Sequence, residues 1–146
     1  MVPYRAMKDA QPSTDLERQA ARLVQAGFEV VDRRGPEAFG NQLIELTRGP
    51  LNVRLLRDRE QTFITLASPS DAARHDLGLW LSCMDHERPS LEARDFEGDA
   101  DVLLRRLSEL ESFVSASGPD TETCLKEAGE WRFSQRRSLG LVRYPG

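Results

Sequence analysis

Four runs decide the fold of this chain: Phe28-Glu-Val-Val-Asp-Arg-Arg34, Asn41-Gln-Leu-Ile-Glu-Leu-Thr-Arg48, Leu51-Asn-Val-Arg-Leu-Leu-Arg57 and Gln61-Thr-Phe-Ile-Thr-Leu-Ala67. Each is short and rich in β-branched and aromatic residues, and each alternates apolar with polar side chains. That is the pattern of a strand with one buried face. Gly35-Pro36 and Gly49-Pro50 punctuate the runs as turns. Asp58-Arg59-Glu60 is short enough for a hairpin, although it lacks the glycine that tight hairpins prefer. The stretch from Phe28 to Ser68 therefore reads as an antiparallel meander of three to four strands.

Alternation assigns the two faces of that sheet. Phe28, Val30, Ile44, Leu46, Val53, Leu55, Ile64 and Leu66 point one way, toward packed helices. Val31, Leu43, Leu56 and Phe63 point the other way, beside Glu29, Arg33, Glu45, Arg54, Thr47 and Thr65. A slip of one residue, or a bulge, would exchange these faces.

Helical signals surround the sheet. Thr14-Asp-Leu-Glu17 fits a capping box, and Leu16, Ala20, Leu23 and Val24 follow as an apolar stripe up to Gly27, predicting a helix over 14–26. Ser68-Pro-Ser-Asp71 looks like a second helix start, with Leu77, Trp80, Leu81 and Met84 as its buried stripe to about Asp85. Residues 86–98 read as a polar loop. Asp99 and Asp101 then open a helix carrying Leu103, Leu107, Leu110 and Val114, which Ser117-Gly118-Pro119 ends. A weaker helix is expected from Asp120 to Trp131, then a strand from Gly140 to Tyr144 or a tail. Residues 1–13 read as a loose arm. The expected fold is α+β: three to four antiparallel strands flanked by three to four helices. The core domain is expected over residues 14–116, with residues 117–146 a C-terminal helix or tail.

The chain has 146 residues, enough for one self-sufficient domain, and a net charge of −4. No apolar run approaches the ~20 residues needed to span a bilayer, and the N-terminus lacks the apolar core of a signal peptide. Two cysteines, Cys83 and Cys124, are too few for a disulfide framework. Reduced thiols in the cytoplasm are thus expected, with Cys83 acting as a small buried hydrophobe.

Motifs for chemistry are missing. His75 and His86 lie eleven residues apart, about 16 Å along a helix, so one metal cannot take both. Cys83 and His86 would supply half a zinc site, but no second ligand pair follows. Ser82 does not sit in a Gly-x-Ser-x-Gly elbow. The acids Asp95, Glu97, Asp99 and Asp101 lack the later Glu of a calcium loop. The scattered glycines form no phosphate-binding pattern. The reading is a non-enzyme with no catalytic residue, no metal and no cofactor. Arg33, Arg34, Arg48, Arg54, Arg57 and Arg59 with Phe63 suggest a nucleic-acid platform. Interleaved acids and the net negative charge argue against it. What remains is the second sheet face. Val31, Leu43, Leu56 and Phe63 with Arg54 and Glu45 make an apolar patch with a charged rim, the build of a protein-binding surface.

The arrangement Gly27-Phe-Glu-Val-Val-Asp, Phe39-Gly40-Asn41, Val53-Arg-Leu-Leu-Arg-Asp-Arg59 and Phe63-Ile-Thr-Leu-Ala-Ser68 resembles a group of small bacterial proteins. Their build, a helix, a sheet meander and then helices, is similar to that of immunity proteins from bacterial toxin–immunity systems. The resemblance covers about residues 14–115 at the level of architecture and transfers no functional residue. It implies a cytoplasmic protein that binds a cognate toxin and occludes its active site. A second expected class is a dimeric secretion chaperone that holds an extended segment of an exported protein.

Overall fold

A computed structural model of the chain describes residues 15–37, 40–59, 61–68, 73–91 and 95–140. Thr14, the N-terminal arm and the expected strand at 140–144 past Gly140 lie outside the described residues. Helix α1 (Asp15–Gln25) leads into strands β1 (Glu29–Arg34), β2 (Gln42–Arg48), β3 (Leu51–Asp58), β4 (Gln61–Ala67) and β5 (Arg74–Asp76). Helices α2 (Leu77–Asp85), α3 (Phe96–Arg105), α4 (Leu107–Ser115) and α5 (Pro119–Ser138) follow. The sheet is an antiparallel meander in the order β1-β2-β3-β4-β5, so the fold is α+β.

Helix α1 buries Leu16, Gln19, Ala20 and Leu23, spaced at one helical stripe. Burying each leucine contributes about 1.5–3 kcal/mol. Val24 departs from the expected stripe and is exposed, because it lies round the helix from the sheet. Gly27 has φ +101°, the left-handed conformation that stops α1 and turns the chain into β1. Glu17 at the start of α1 then accepts hydrogen bonds from Arg33 Nη1 (2.7 Å) and Gln42 Nε2 (3.2 Å), fastening the helix across the sheet end.

The core face carries the residues that alternation assigns to it. Phe28, Ile44, Leu46, Val53, Leu55, Ile64 and Leu66 are buried, and Val30 packs against them half-buried. Helices α1, α3 and α4 close over this face with Ala100, Leu103, Leu107, Leu110 and Val114. Both hairpins need a left-handed residue in the turn. Between β2 and β3 Gly49 supplies it, with φ +54°. Between β3 and β4, Arg59 takes φ +60° without being glycine. Its N–H donates to Asn41 Oδ1 at 2.7 Å, which offsets part of the conformational cost.

The structure corrects the sequence reading at five places. The sheet has five strands rather than three or four, and five helices lie among the described residues rather than three or four. The extra strand is Arg74-His-Asp76, which the expected helix from Ser68 would have absorbed. It pairs with Thr65, Leu66 and Ala67, and α2 starts only at Leu77 because Asp76 caps it, accepting from Gly78 N–H at 2.9 Å. Helix α3 begins at Phe96, inside the expected loop, because Asp95 accepts from Gly98 N–H. The expected single helix beyond it is two, α3 and α4, which meet at Arg106.

The cysteines give the fourth correction. Cys83 and Cys124 are joined in a disulfide, with Cα atoms 6.1 Å apart and a sequence separation of 41. Reduced thiols were expected; docking of α5 on α2 brings the pair within disulfide span. Helix α5 runs from Pro119 to Ser138, longer than the expected 120–131, and buries Leu125. No helix among the described residues is long and apolar enough to cross a membrane.

Candidate functional site

The outer face of the sheet, away from α1, α3 and α4, is built in cross-strand rows. Leu43, Leu56 and Phe63 stand opposite one another on β2, β3 and β4 and form one apolar row. Phe63 is 37% exposed, and Leu43 and Leu56 are half-buried. The row borders an open hollow of about 440 Å³, whose lining also includes Arg34, Asn41 and Arg57.

The next row is charged. Glu45 faces Arg54, and Arg54 faces Thr65. Arg54 Nε donates to Glu45 Oε1 at 2.7 Å, and Asn52 Nδ2 donates to Glu45 Oε2 at 3.0 Å. Arg74 on β5 donates to Asn52 Oδ1 and lies 3.8 Å from Glu45 Oε1. One carboxylate thus holds two guanidiniums and an amide in place. The Asn52 hydrogen bond, then the hydrogen bond and charge of Arg54, hold Glu45 below the usual carboxylate range against the opposing effect of burial. Burial and the neighbouring Arg54 lower Arg74 in turn.

Val31 sits apart from the apolar row. The register shifts between Val30 and Asp32, so Val31 is the extra residue of a bulge, level with Glu45 and 51% exposed. The structure thus brings Leu43, Leu56 and Phe63 together, joins Glu45 to Arg54 beside them, and leaves Val31 at the sheet edge. Asn52 and Arg74 were missed by the sequence reading. Alternation places Asn52 on this face two residues before Arg54, a usable signal. Nothing marks Arg74, because its strand is unreadable in sequence.

Histidines and nucleophiles elsewhere are occupied in other ways. The His75 ring lies edge-on to Trp80, with its Nε2 3.5 Å from Glu122. His86 caps the C-terminus of α2 in the left-handed conformation, with φ 57°. Ser82 Oγ donates to the Leu79 carbonyl at 2.9 Å, and Cys83 is in the disulfide. Among the described residues no group of three or more His, Cys, Asp or Glu side chains is placed to hold a metal ion. A broader cleft of about 1620 Å³ runs past Phe63, Arg88, Arg106, Arg132 and Arg136. Two of these arginines are engaged by acids: Arg106 by Asp85 (2.6 Å) and Arg132 by Asp76 (2.9 Å).

Acid should loosen the outer-face network. The folded-state pKa of Glu45 is depressed, so its stabilisation is complete above the ordinary glutamate range. It disappears as pH falls through the folded value. Asp85, depressed chiefly by its hydrogen bonds from Arg106, acts in the same direction. Urea midpoints should therefore fall as the pH drops below the ordinary carboxylate range. Glu45→Gln should flatten that slope, and an unchanged slope would show that the network does not contribute.

Comparison of the chain with protein-family models, with curated proteins and with solved structures gave no match.

Proposed function

We propose that the chain is an immunity-type protein, acting in the cytoplasm, that binds a cognate bacterial toxin and neutralises it by steric occlusion. The outer sheet face is the docking surface. The observation that carries this reading is the apolar row Leu43–Leu56–Phe63, partly open to solvent and flanked by charges already locked in geometry. Preformed charges and rigid apolar anchors lose little freedom on association, which favours tight binding.

The face also suggests the partner's chemistry. Arg54 and Arg74 share the carboxylate of Glu45, and Asp32 stands opposite Glu45 on β1, so the face carries charges of both signs beside its apolar row. A partner surface with an apolar anchor and charges of both signs around it complements it. Four strands at about 4.8 Å spacing and seven residues at about 3.3 Å give a footprint on the order of 400 Å². That is the size of an interface centre, which a rim extends to about 800 Å² per partner in a standard complex.

The test is calorimetric titration of the chain against its purified partner, captured first from native cells. Leu56→Ala and Phe63→Ala are each expected to weaken binding at least tenfold, about 1.4 kcal/mol. Val24→Ala, on the exposed side of α1, should leave the Kd unchanged. If both outer-face variants bind like the parent chain, the docking surface lies elsewhere.

A further inference from the structure

We propose that the Cys83–Cys124 disulfide is a redox-operated clasp. Oxidised, it holds α5 on α2. Reduced by a dithiol, it releases α5 while the sheet and the other helices stay folded.

Helix α5 is held on α2 with little apolar burial of its own. Of its 20 residues, Leu125 alone is fully buried. Its other attachments are Cys124 and Ala128, partly buried against the core, Gly129 facing Leu79, Arg132 on Asp76, Glu122 near His75, and Trp131 under the Arg88 guanidinium. The Glu122–His75 contact is poorly satisfied, because His75 Nε2 and Glu122 Oε1 are buried without hydrogen-bond partners. Buried polar atoms left unpaired oppose docking rather than support it. The glycine inside α5 weakens the helix further, so its stability rests on packing against the domain. The covalent link is thus the strongest tie α5 has to the domain.

The rest of the core does not depend on α5. Every fully buried apolar side chain except Leu125 belongs to α1, the sheet, α2, α3 or α4, or to the residues that join them. Releasing α5 uncovers Leu79 and Cys83 on α2 and leaves the sheet covered by α1, α3 and α4.

The chemistry is accessible from one side. Cys83 is buried, whereas Cys124 is half-buried. A thiolate of the dithiol attacks Cys124 Sγ, the S–S bond breaks, and Cys83 leaves as a thiolate that takes up a proton. The second thiolate of the reductant then attacks the reductant sulfur of the mixed disulfide and frees Cys124. Two electrons pass to the protein, and the dithiol becomes its own disulfide.

Hydrogen exchange followed by mass spectrometry tests the clasp on the full chain, with and without dithiothreitol. Reduction is expected to lower protection at least tenfold for α5 amides between Thr121 and Gln135, and to leave β2, β3 and β4 unchanged. Removing the reductant and reoxidising should restore protection. The double variant Cys83→Ser/Cys124→Ser should show the reduced pattern under both conditions. Unchanged α5 protection on reduction overturns the proposal. So does loss of protection throughout the chain, which would make the bond a staple of the whole domain. Two free thiols in protein purified in air would overturn it as well.

Discussion

Replacing Trp80 with alanine is expected to lower the unfolding free energy by about 3–5 kcal/mol, as loss of a fully buried aromatic does. Trp80 is 0% exposed and sits where α2 meets the sheet. Its ring packs edge-on against Phe113 of α4 (6.2 Å between centroids) and against His75 of β5 (6.3 Å). Its indole N–H donates to the Leu66 carbonyl at 3.0 Å. Three elements therefore lose a common neighbour at once. Trp80→Phe keeps most of the packing and removes the hydrogen bond, so it should cost only about 1–2 kcal/mol. Small domains have about 5–15 kcal/mol in total, so the alanine variant should stand near the edge of folding. Urea titrations measure both variants. An alanine cost under about 1 kcal/mol would mean that Trp80 is not the packing centre.

The meander was legible because period-two alternation is a strong local signal. Seven of the eight residues assigned inward, Phe28, Ile44, Leu46, Val53, Leu55, Ile64 and Leu66, are buried. What escaped was set by tertiary contact. Arg74-His-Asp76 has no apolar residue, and it is a strand because the edge of β4 offers it hydrogen bonds. Leu103, Leu107, Leu110 and Val114 read as one stripe, and the break at Arg106 leaves that stripe buried on both sides. The disulfide needs α2 and α5 side by side, which no spacing of two cysteines reveals.

The candidate site divides in the same way. Leu43, Leu56 and Phe63 follow from the alternation of their strands, and the register makes them a row. Glu45 and Arg54 were legible as neighbours in type and face. That Glu45 also attracts Arg74 depends on β5 lying next to β4. The bulge that sets Val31 apart is a one-residue irregularity, and alternation alone has no means of locating it.

Asp76→Ala is expected to cost about 2–3 kcal/mol, because one carboxylate oxygen serves three elements. Asp76 ends β5 and caps α2, and its Oδ2 accepts from Gly78 N–H and from Arg132 Nη1 of α5, both at 2.9 Å. Losing the cap alone costs about 1 kcal/mol. The ion pair adds to this because it is shielded, with side-chain exposures of 31% for Asp76 and 19% for Arg132. Removing the carboxylate also leaves the Arg132 guanidinium without its partner beside Arg136, which is already lowered by burial and by the charge of Arg132. Asp76→Asn keeps a capping oxygen and loses the charge, so it should cost about half as much. Gly78→Ala offers an independent check, since a Cβ there would stand 2.9 Å from Asp76 Oδ2 and displace it. If Asp76→Ala costs less than about 0.5 kcal/mol in urea titration, α2 and α5 do not share this anchor. If the alanine and asparagine variants cost the same, the cap contributes little and the charge on Arg132 carries the effect.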